Sequence, residues 1–142
     1  MEPFKNYRGN GKQLLEPLVI QGTCRRDYGR IVLKECGGFC VYCGRNLTES
    51  YEAWLSLSVD HVIPISTRWV KDREDWIYNL INCVTCCRAC NEFLNHYEVR
   101  DEMPETLEAF CDLRDNHFQR KKEKALGCHK RDKTFFLKEI KT

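Results

Sequence analysis

No stretch of this 142-residue chain stays apolar for the roughly 20 residues that a membrane-spanning helix needs. That absence argues against a membrane partner. The first eight residues, Met1 to Arg8, lack the apolar run of a secretory signal, so the expected compartment is the cytoplasm. Excess charge of one sign is also missing. Lys and Arg number 23 against 21 Asp and Glu, a formal net charge of +2. Overall charge therefore makes no case for nucleic acid, and only its distribution can. Basic residues do cluster at Arg120–Lys124 and Lys130–Lys133, readable as a solvated helix face or as an edge that meets phosphates. Internal repeats and low-complexity tracts are absent. With 42% hydrophobic and 31% charged residues, the chain reads as a soluble globular protein with one modest core.

Cysteine is abundant, with 10 in the chain. Without a secretory signal, metal binding explains that number better than disulfides do. Cys40 and Cys43 form one Cys-x-x-Cys pair and Cys87 and Cys90 another. Two such pairs around a long insert have the spacing of a zinc site, and an all-thiolate tetrahedron is closed, hence structural. No thioredoxin-like βαβ pattern surrounds either pair, which speaks against redox chemistry. Cys83 and Cys86 form a third pair and leave the register of the zinc ligands open. The other cysteines, Cys24, Cys36, Cys111 and Cys128, read as reduced thiols acting as small apolar side chains.

Residues 1–22 read as a polar, irregular arm. Tyr28, Ile31, Val32 and Cys36 have helical spacing, predicting a helix over 26–36 that Gly37 and Gly38 end. Gly44 suits a turned knuckle after Cys43. From Ala53 to Val59 apolar and polar residues alternate, predicting a strand that delivers Asp60 and His61 at its end. Residues 66–75 read as a charged loop, 78–86 as a short β-compatible segment, and 88–100 as a helix. Pro104 is placed at the first position of a final helix. That helix carries Leu107, Phe110, Cys111, Arg114 and Phe118 on one face, and Gly127 interrupts it. The stripe can serve the core or a second copy of the chain. The divisions expected are an arm and short helix at 1–35, a core at 36–100 and a helical extension at 101–142.

Between the cysteine pairs, Asp60 offers a hard oxygen donor suited to Mg²⁺, and His61 titrates where it can accept a proton from water near neutral pH. A metal-dependent phosphodiesterase needs that pair. Residues Ser58 to Ile65, followed by Asn82 to Asn91 with their Cys-x-x-Cys, resemble the HNH endonucleases, specifically the zinc-bound members with two Cys-x-x-Cys pairs. The resemblance covers roughly residues 36–100 and rests on the joint match of the cysteine pairs, Asp60-His61-x-x-Pro64, Asn82 and Cys90-Asn91. It implies an α+β, ββα-metal core, with His61 as general base and Asn82 as the asparagine that holds the catalytic loop. Asn79 is a rival for that role. The resemblance further implies Asp60 and Asn91 as ligands of one Mg²⁺ or Mn²⁺ and leaves open whether Asn95, one helical turn on, or His96 beside it also binds the metal. Cys40, Cys43, Cys87 and Cys90 would bind one structural Zn²⁺.

The expected reaction is hydrolysis of DNA to 5′-phosphate and 3′-hydroxyl ends, in a bacterial or phage-infected cell, with RNA the less expected alternative to DNA. One active site cuts one strand, so double-strand cutting requires a homodimer or two visits. Arg45, Arg68, Lys71, Arg73 and Arg88 flank the motif and are candidate phosphate contacts. Trp69 and Trp76 can stack on bases or pack inside. The alternative function is a non-catalytic, zinc-stabilised nucleic-acid-binding module on the same fold.

Overall fold

The strand that carries Asp60 and His61 begins only at Leu57, because the residues before it form a helix. The computed structural model describes residue 14 and residues 23–141; the arm expected over 1–22 lies, but for the exposed Leu14, outside them. Helix α1 spans Tyr28–Glu35. It closes with Gly38 N–H donating to Leu33 O and Gly37 N–H to Lys34 O, the paired bonds of a Schellman motif. Gly37 adopts φ 69° there, a conformation that costs glycine little. The expected end of this helix is thus found.

Helix α2, Tyr51–Leu55, replaces the first half of the expected strand. Ser50 caps it by accepting from Ala53 N–H at 3.0 Å, and a Ser cap of this kind contributes about 1 kcal/mol. Ala53 faces the core in the helix, which is why the alternation misleads. Strand β1 follows at Leu57–His61 and pairs antiparallel with β2, Cys83–Cys87, in the register Leu57↔Cys87, Asp60↔Val84 and His61↔Cys83. β2 is buried throughout.

The charged loop is more ordered than expected. A 3-10 turn at Val70–Arg73 leads into α3, Glu74–Ile77, and a second 3-10 turn at Leu80–Asn82 precedes β2. Helix α4, Arg88–Phe93, is much shorter than the expected 88–100. Its N-cap is Cys87, whose sulfur accepts from Cys90 N–H at 3.5 Å. β1, β2 and α4 together make the ββα unit, and the fold is α+β.

Helix α5 runs from Leu107 to Phe135 and widens into a π turn at Phe136–Ile140. Thr106 caps it, accepting from Ala109 N–H at 3.1 Å. The start is therefore three residues beyond Pro104, because the threonine hydroxyl can satisfy an orphan N–H and proline cannot. Gly127 does not interrupt the helix; its cost relative to alanine is about 1 kcal/mol, which the rest of the helix offsets.

α5 is fastened along its length. Phe118 and Ala125 enter the core around the hairpin, with Tyr42, Leu57 and Val84. Phe110 and Cys111 enter a second core with Ile63, Trp69, Ile77 and Ile81. A buried phenylalanine contributes roughly 1.5 to 3 kcal/mol relative to an exposed one. The stripe offered above as a face for a second copy is thus consumed within the chain. Arg114 lies in that stripe fully buried, its guanidinium donating to Ile81 O at 3.1 Å and paired with Asp115 at 2.8 Å.

Candidate metal centre and catalytic cleft

Two local turns bring four sulfurs together. In the first knuckle Cys43 N–H points at Cys40 Sγ at 3.5 Å, and Gly44 N–H returns to Cys40 O at 2.9 Å. Gly44 adopts φ 79° with open space around it, so the turn needs its conformational freedom rather than its small size. The second knuckle is the cap of α4. The sulfurs of Cys40, Cys43, Cys87 and Cys90 all lie within 4.8 Å of one another, and Cys43 Sγ sits 3.7 Å from Cys87 Sγ. A tetrahedral zinc with bonds of about 2.3 Å places its sulfurs roughly 3.8 Å apart, so this donor set fits zinc. The open register resolves in favour of Cys87 and Cys90. Cys83 instead donates to Asn79 O at 3.6 Å.

The protons of the cluster are shared unequally. A hydrogen bond with Cys40 draws Cys43 down to about 6 and lowers Cys87 as well, while Cys40 is raised by its bond to Cys43 and Cys90 by its bond to Cys40. Ionised sulfurs packed this closely call for a cation. His129 of α5 reaches the same cluster, its Nε2 3.2 Å from Cys90 Sγ, with its ring edge-on to Phe93.

At the other end of the hairpin, a cleft of about 320 Å³ is lined by Asp60, His61, Ser66, Asn91, Asn95, Tyr97 and Lys121, among others. The Nε2 of His61 is buried and has no hydrogen-bond partner among the described residues. The imidazole stands edge-on to Tyr78. Burial pulls its pKa below 6.5 and the Lys121 charge adds to that, against an opposing pull from Asp60. The ring is therefore neutral at pH 7, with a nitrogen that none of the described residues engages.

Asp60 is held firmly. Tyr42 Oη donates to Asp60 Oδ2 at 2.5 Å and Lys121 Nζ donates to the same oxygen at 2.6 Å. Burial and the carboxylate raise the Tyr42 phenol far above its ordinary value, so it remains a donor. Neither contact reaches Oδ1. Asn91 sits on the exposed side of α4 at the cleft. An aspartate oxygen and an amide oxygen suit Mg²⁺ or Mn²⁺ better than a softer ion.

Asn82 is a staple. Fully buried, it accepts from Ile63 N–H at 2.9 Å and donates to Ile63 O and Ile77 O, each at 2.9 Å. Val62 N–H also donates to Asn82 O at 2.9 Å. The chain just past His61 is thereby clamped, so Asn82 positions the histidine and does not itself line the cleft. Asn79 caps the 3-10 turn at Leu80–Asn82, accepting from Ile81 N–H. Asn82→Ala would leave Ile63 N–H and two carbonyls unpaired in the interior, at about 1 to 3 kcal/mol per group. Urea unfolding should show a loss of about 3 kcal/mol or more; a loss under about 1 kcal/mol would contradict the staple.

The remaining candidates divide. Asn95 lines the cleft although α4 has already ended, and His96 is exposed and does not line it. Arg45, Arg68, Lys71 and Arg88 are exposed. Arg68 shares a neighbouring hollow with Ser66, Thr67 and Arg100. Arg73 is engaged inside the protein, donating to Pro104 O at 2.8 Å and lying over the Trp76 ring at 4.7 Å. Trp69 is 6% exposed and donates to Asp101 O, and Trp76 packs on Phe110. Both tryptophans belong to the core.

Sequence reading missed Lys121, Tyr42 and Tyr97. A signal for Lys121 existed: extending the apolar stripe beyond Phe118 by steps of three and four reaches Lys121 and then Ala125, a lysine on a buried face.

No described helix is long and apolar enough to cross a membrane. No curated protein and no solved structure matches the chain. Residues 40–96 match the family model described as HNH endonuclease, a domain of nuclease or nucleic-acid-binding function. That segment contains both cysteine pairs, the hairpin and α4. Over residues 40–96, then, the chain is similar to the HNH endonuclease family.

Proposed function

We propose that this chain is a divalent-metal-dependent endonuclease that hydrolyses DNA phosphodiester bonds. The observation that carries the reading is the buried, unpartnered Nε2 of a neutral His61 beside Asp60 in an open cleft. A buried nitrogen without a partner costs about 1 to 3 kcal/mol, and a site that binds water or substrate there recovers it. His61 takes a proton from the water that attacks phosphorus. The new P–O bond forms as the bond to the 3′-oxygen breaks, and the departing oxygen takes a proton from solvent water, leaving 5′-phosphate and 3′-hydroxyl ends. Asp60 and Asn91, with Asn95 beside them, would hold Mg²⁺ or Mn²⁺, which supplies positive charge for the non-bridging and leaving oxygens. Asn82 keeps the loop after His61 in place. Cys40, Cys43, Cys87 and Cys90 would hold a structural Zn²⁺. Arg45, Arg68, Lys71 and Arg88, all exposed, would contact the phosphate backbone without reading sequence, and Arg73 is left to the protein's own packing.

A second reading has one observation in its favour. Lys121 and Tyr42 both occupy Asp60 Oδ2, as they would around a carboxylate used only to anchor a binding module. Cleavage of supercoiled plasmid, single-stranded DNA and RNA by zinc-loaded protein decides between them, with Mg²⁺, Mn²⁺ or excess chelator. Nicking that depends on the added cation is expected. Binding without cleavage of any of the three substrates would sink the enzyme reading.

A further inference from the structure

Lys121 is the most unusual side chain in the cleft. It is 1% exposed and belongs to α5, outside the matched family segment. Its ammonium group donates to Asp60 Oδ2 at 2.6 Å and to the carbonyls of His61 and Val62, each at 3.1 Å. Three donors thus meet three acceptors, and the rings of Tyr97 and Tyr42 flank the charge at 5.5 and 5.8 Å. A lysine so fully partnered does not swing out to meet a ligand.

The consequence is electrostatic. Among the residues lining the cleft, Asp60 is the one acid and Lys121 the one ammonium. Asn91 and Asn95 contribute oxygens without charge. The carboxylate and the lysine cancel, so the free cleft offers a divalent cation ligands but no net negative charge. A phosphodiester brings the missing charge.

We propose that Lys121 is a built-in counter-charge that neutralises Asp60 in the free protein, so that a divalent cation binds firmly only together with a nucleic-acid phosphate. The inference rests on the reading of Asp60 as a ligand of the catalytic cation. It makes Lys121 a positioning residue: it occupies Oδ2 and leaves Oδ1 for the cation. It also guards the site, since a cation held without substrate would leave a charged cleft that other anions could fill.

The test is Mn²⁺ binding, followed by the paramagnetic resonance of free Mn²⁺ over zinc-loaded, full-length protein. Wild type, Lys121→Met, Lys121→Gln and Asp60→Asn are compared without nucleic acid. Removing a unit charge a few ångströms from the cation should tighten Mn²⁺ binding by roughly 10-fold or more in both Lys121 variants. Combining either with Asp60→Asn should abolish the gain. If Lys121 instead serves to create the cation site, both variants bind Mn²⁺ no better than wild type, and the proposal is overturned while Asp60 remains a ligand. If Asp60→Asn leaves Mn²⁺ binding unchanged in every background, Asp60 is not a ligand and the underlying reading fails as well.

A second arm leaves Lys121 in place and therefore holds even if its variants do not fold. In His61→Ala protein, a short DNA duplex should tighten Mn²⁺ binding by roughly 10-fold or more, after subtracting binding by DNA alone and by the His61→Ala, Asp60→Asn protein with DNA. Equal affinity with and without duplex overturns the proposal.

Discussion

Nicking of supercoiled plasmid by the zinc-loaded protein should slow by roughly 10²- to 10⁴-fold when His61 is replaced by alanine. That corresponds to about 3 to 5 kcal/mol of barrier. The size follows from the role. His61 Nε2 faces no partner among the described residues, and its ring is neutral at pH 7 because burial lowers its pKa below 6.5. The substitution removes the base without breaking a protein hydrogen bond from Nε2, so zinc content and unfolding temperature should stay near those of wild type. The pH profile checks the same assignment. A base with a lowered pKa remains unprotonated as pH falls past 6.5 and loses activity only below it, as pH passes through the shifted value. The acid limb of wild-type nicking should therefore lie below pH 6.5. A limb well above 6.5, or an alanine variant that nicks at the wild-type rate, would remove His61 from the mechanism.

Removing zinc should have the largest effect on the fold itself. Structural zinc sites contribute an apparent 10 to 16 kcal/mol at pH 7, roughly, whereas a whole domain is stable by about 5 to 15 kcal/mol. The four cysteines here join the first knuckle to the end of β2 and the start of α4. Cys87 ends β2 opposite Leu57, caps α4 with its sulfur and belongs to the metal cluster. Cys40 and Cys43 bring in the knuckle that packs Val41 and Tyr42 against the hairpin. Protein stripped by a strong chelator, or carrying Cys87→Ser, should lose its cooperative thermal transition and its nicking together, and zinc should restore both to the stripped wild type. The ligands would be thiolates, so acidification should release the metal as protons compete for sulfur. A protein verified free of zinc that still melts at the holo temperature would show that the cluster is not a structural metal site.

Local chemistry was legible in the sequence. A Cys-x-x-Cys pair makes a knuckle because its spacing brings sulfur and N–H together within one turn, wherever the rest of the chain lies. The Asp60–His61 pair at the end of a strand, the glycines after α1 and the amphipathic face of α5 follow from similar short-range rules. Short elements were less legible. Ala53 to Leu55 fit a strand by alternation, and the helix is favoured by the cap in which Ala53 N–H donates to the Ser50 side chain. α4 stops at Phe93, although its sequence could continue as a helix.

Only the tertiary structure decided which long side chains serve the site and which serve the core. Arg73, Trp69 and Trp76 look like nucleic-acid contacts on paper, and they are consumed by Pro104, Asp101 and Phe110. Lys121 looks like one more residue of a basic run, and it ends on Asp60, 61 positions away in sequence. The spacing of residues determines which of them share a helix face. What that face meets depends on where a 29-residue helix comes to rest, and that is settled by the burial of Phe110, Phe118 and Ala125 against cores built from distant segments.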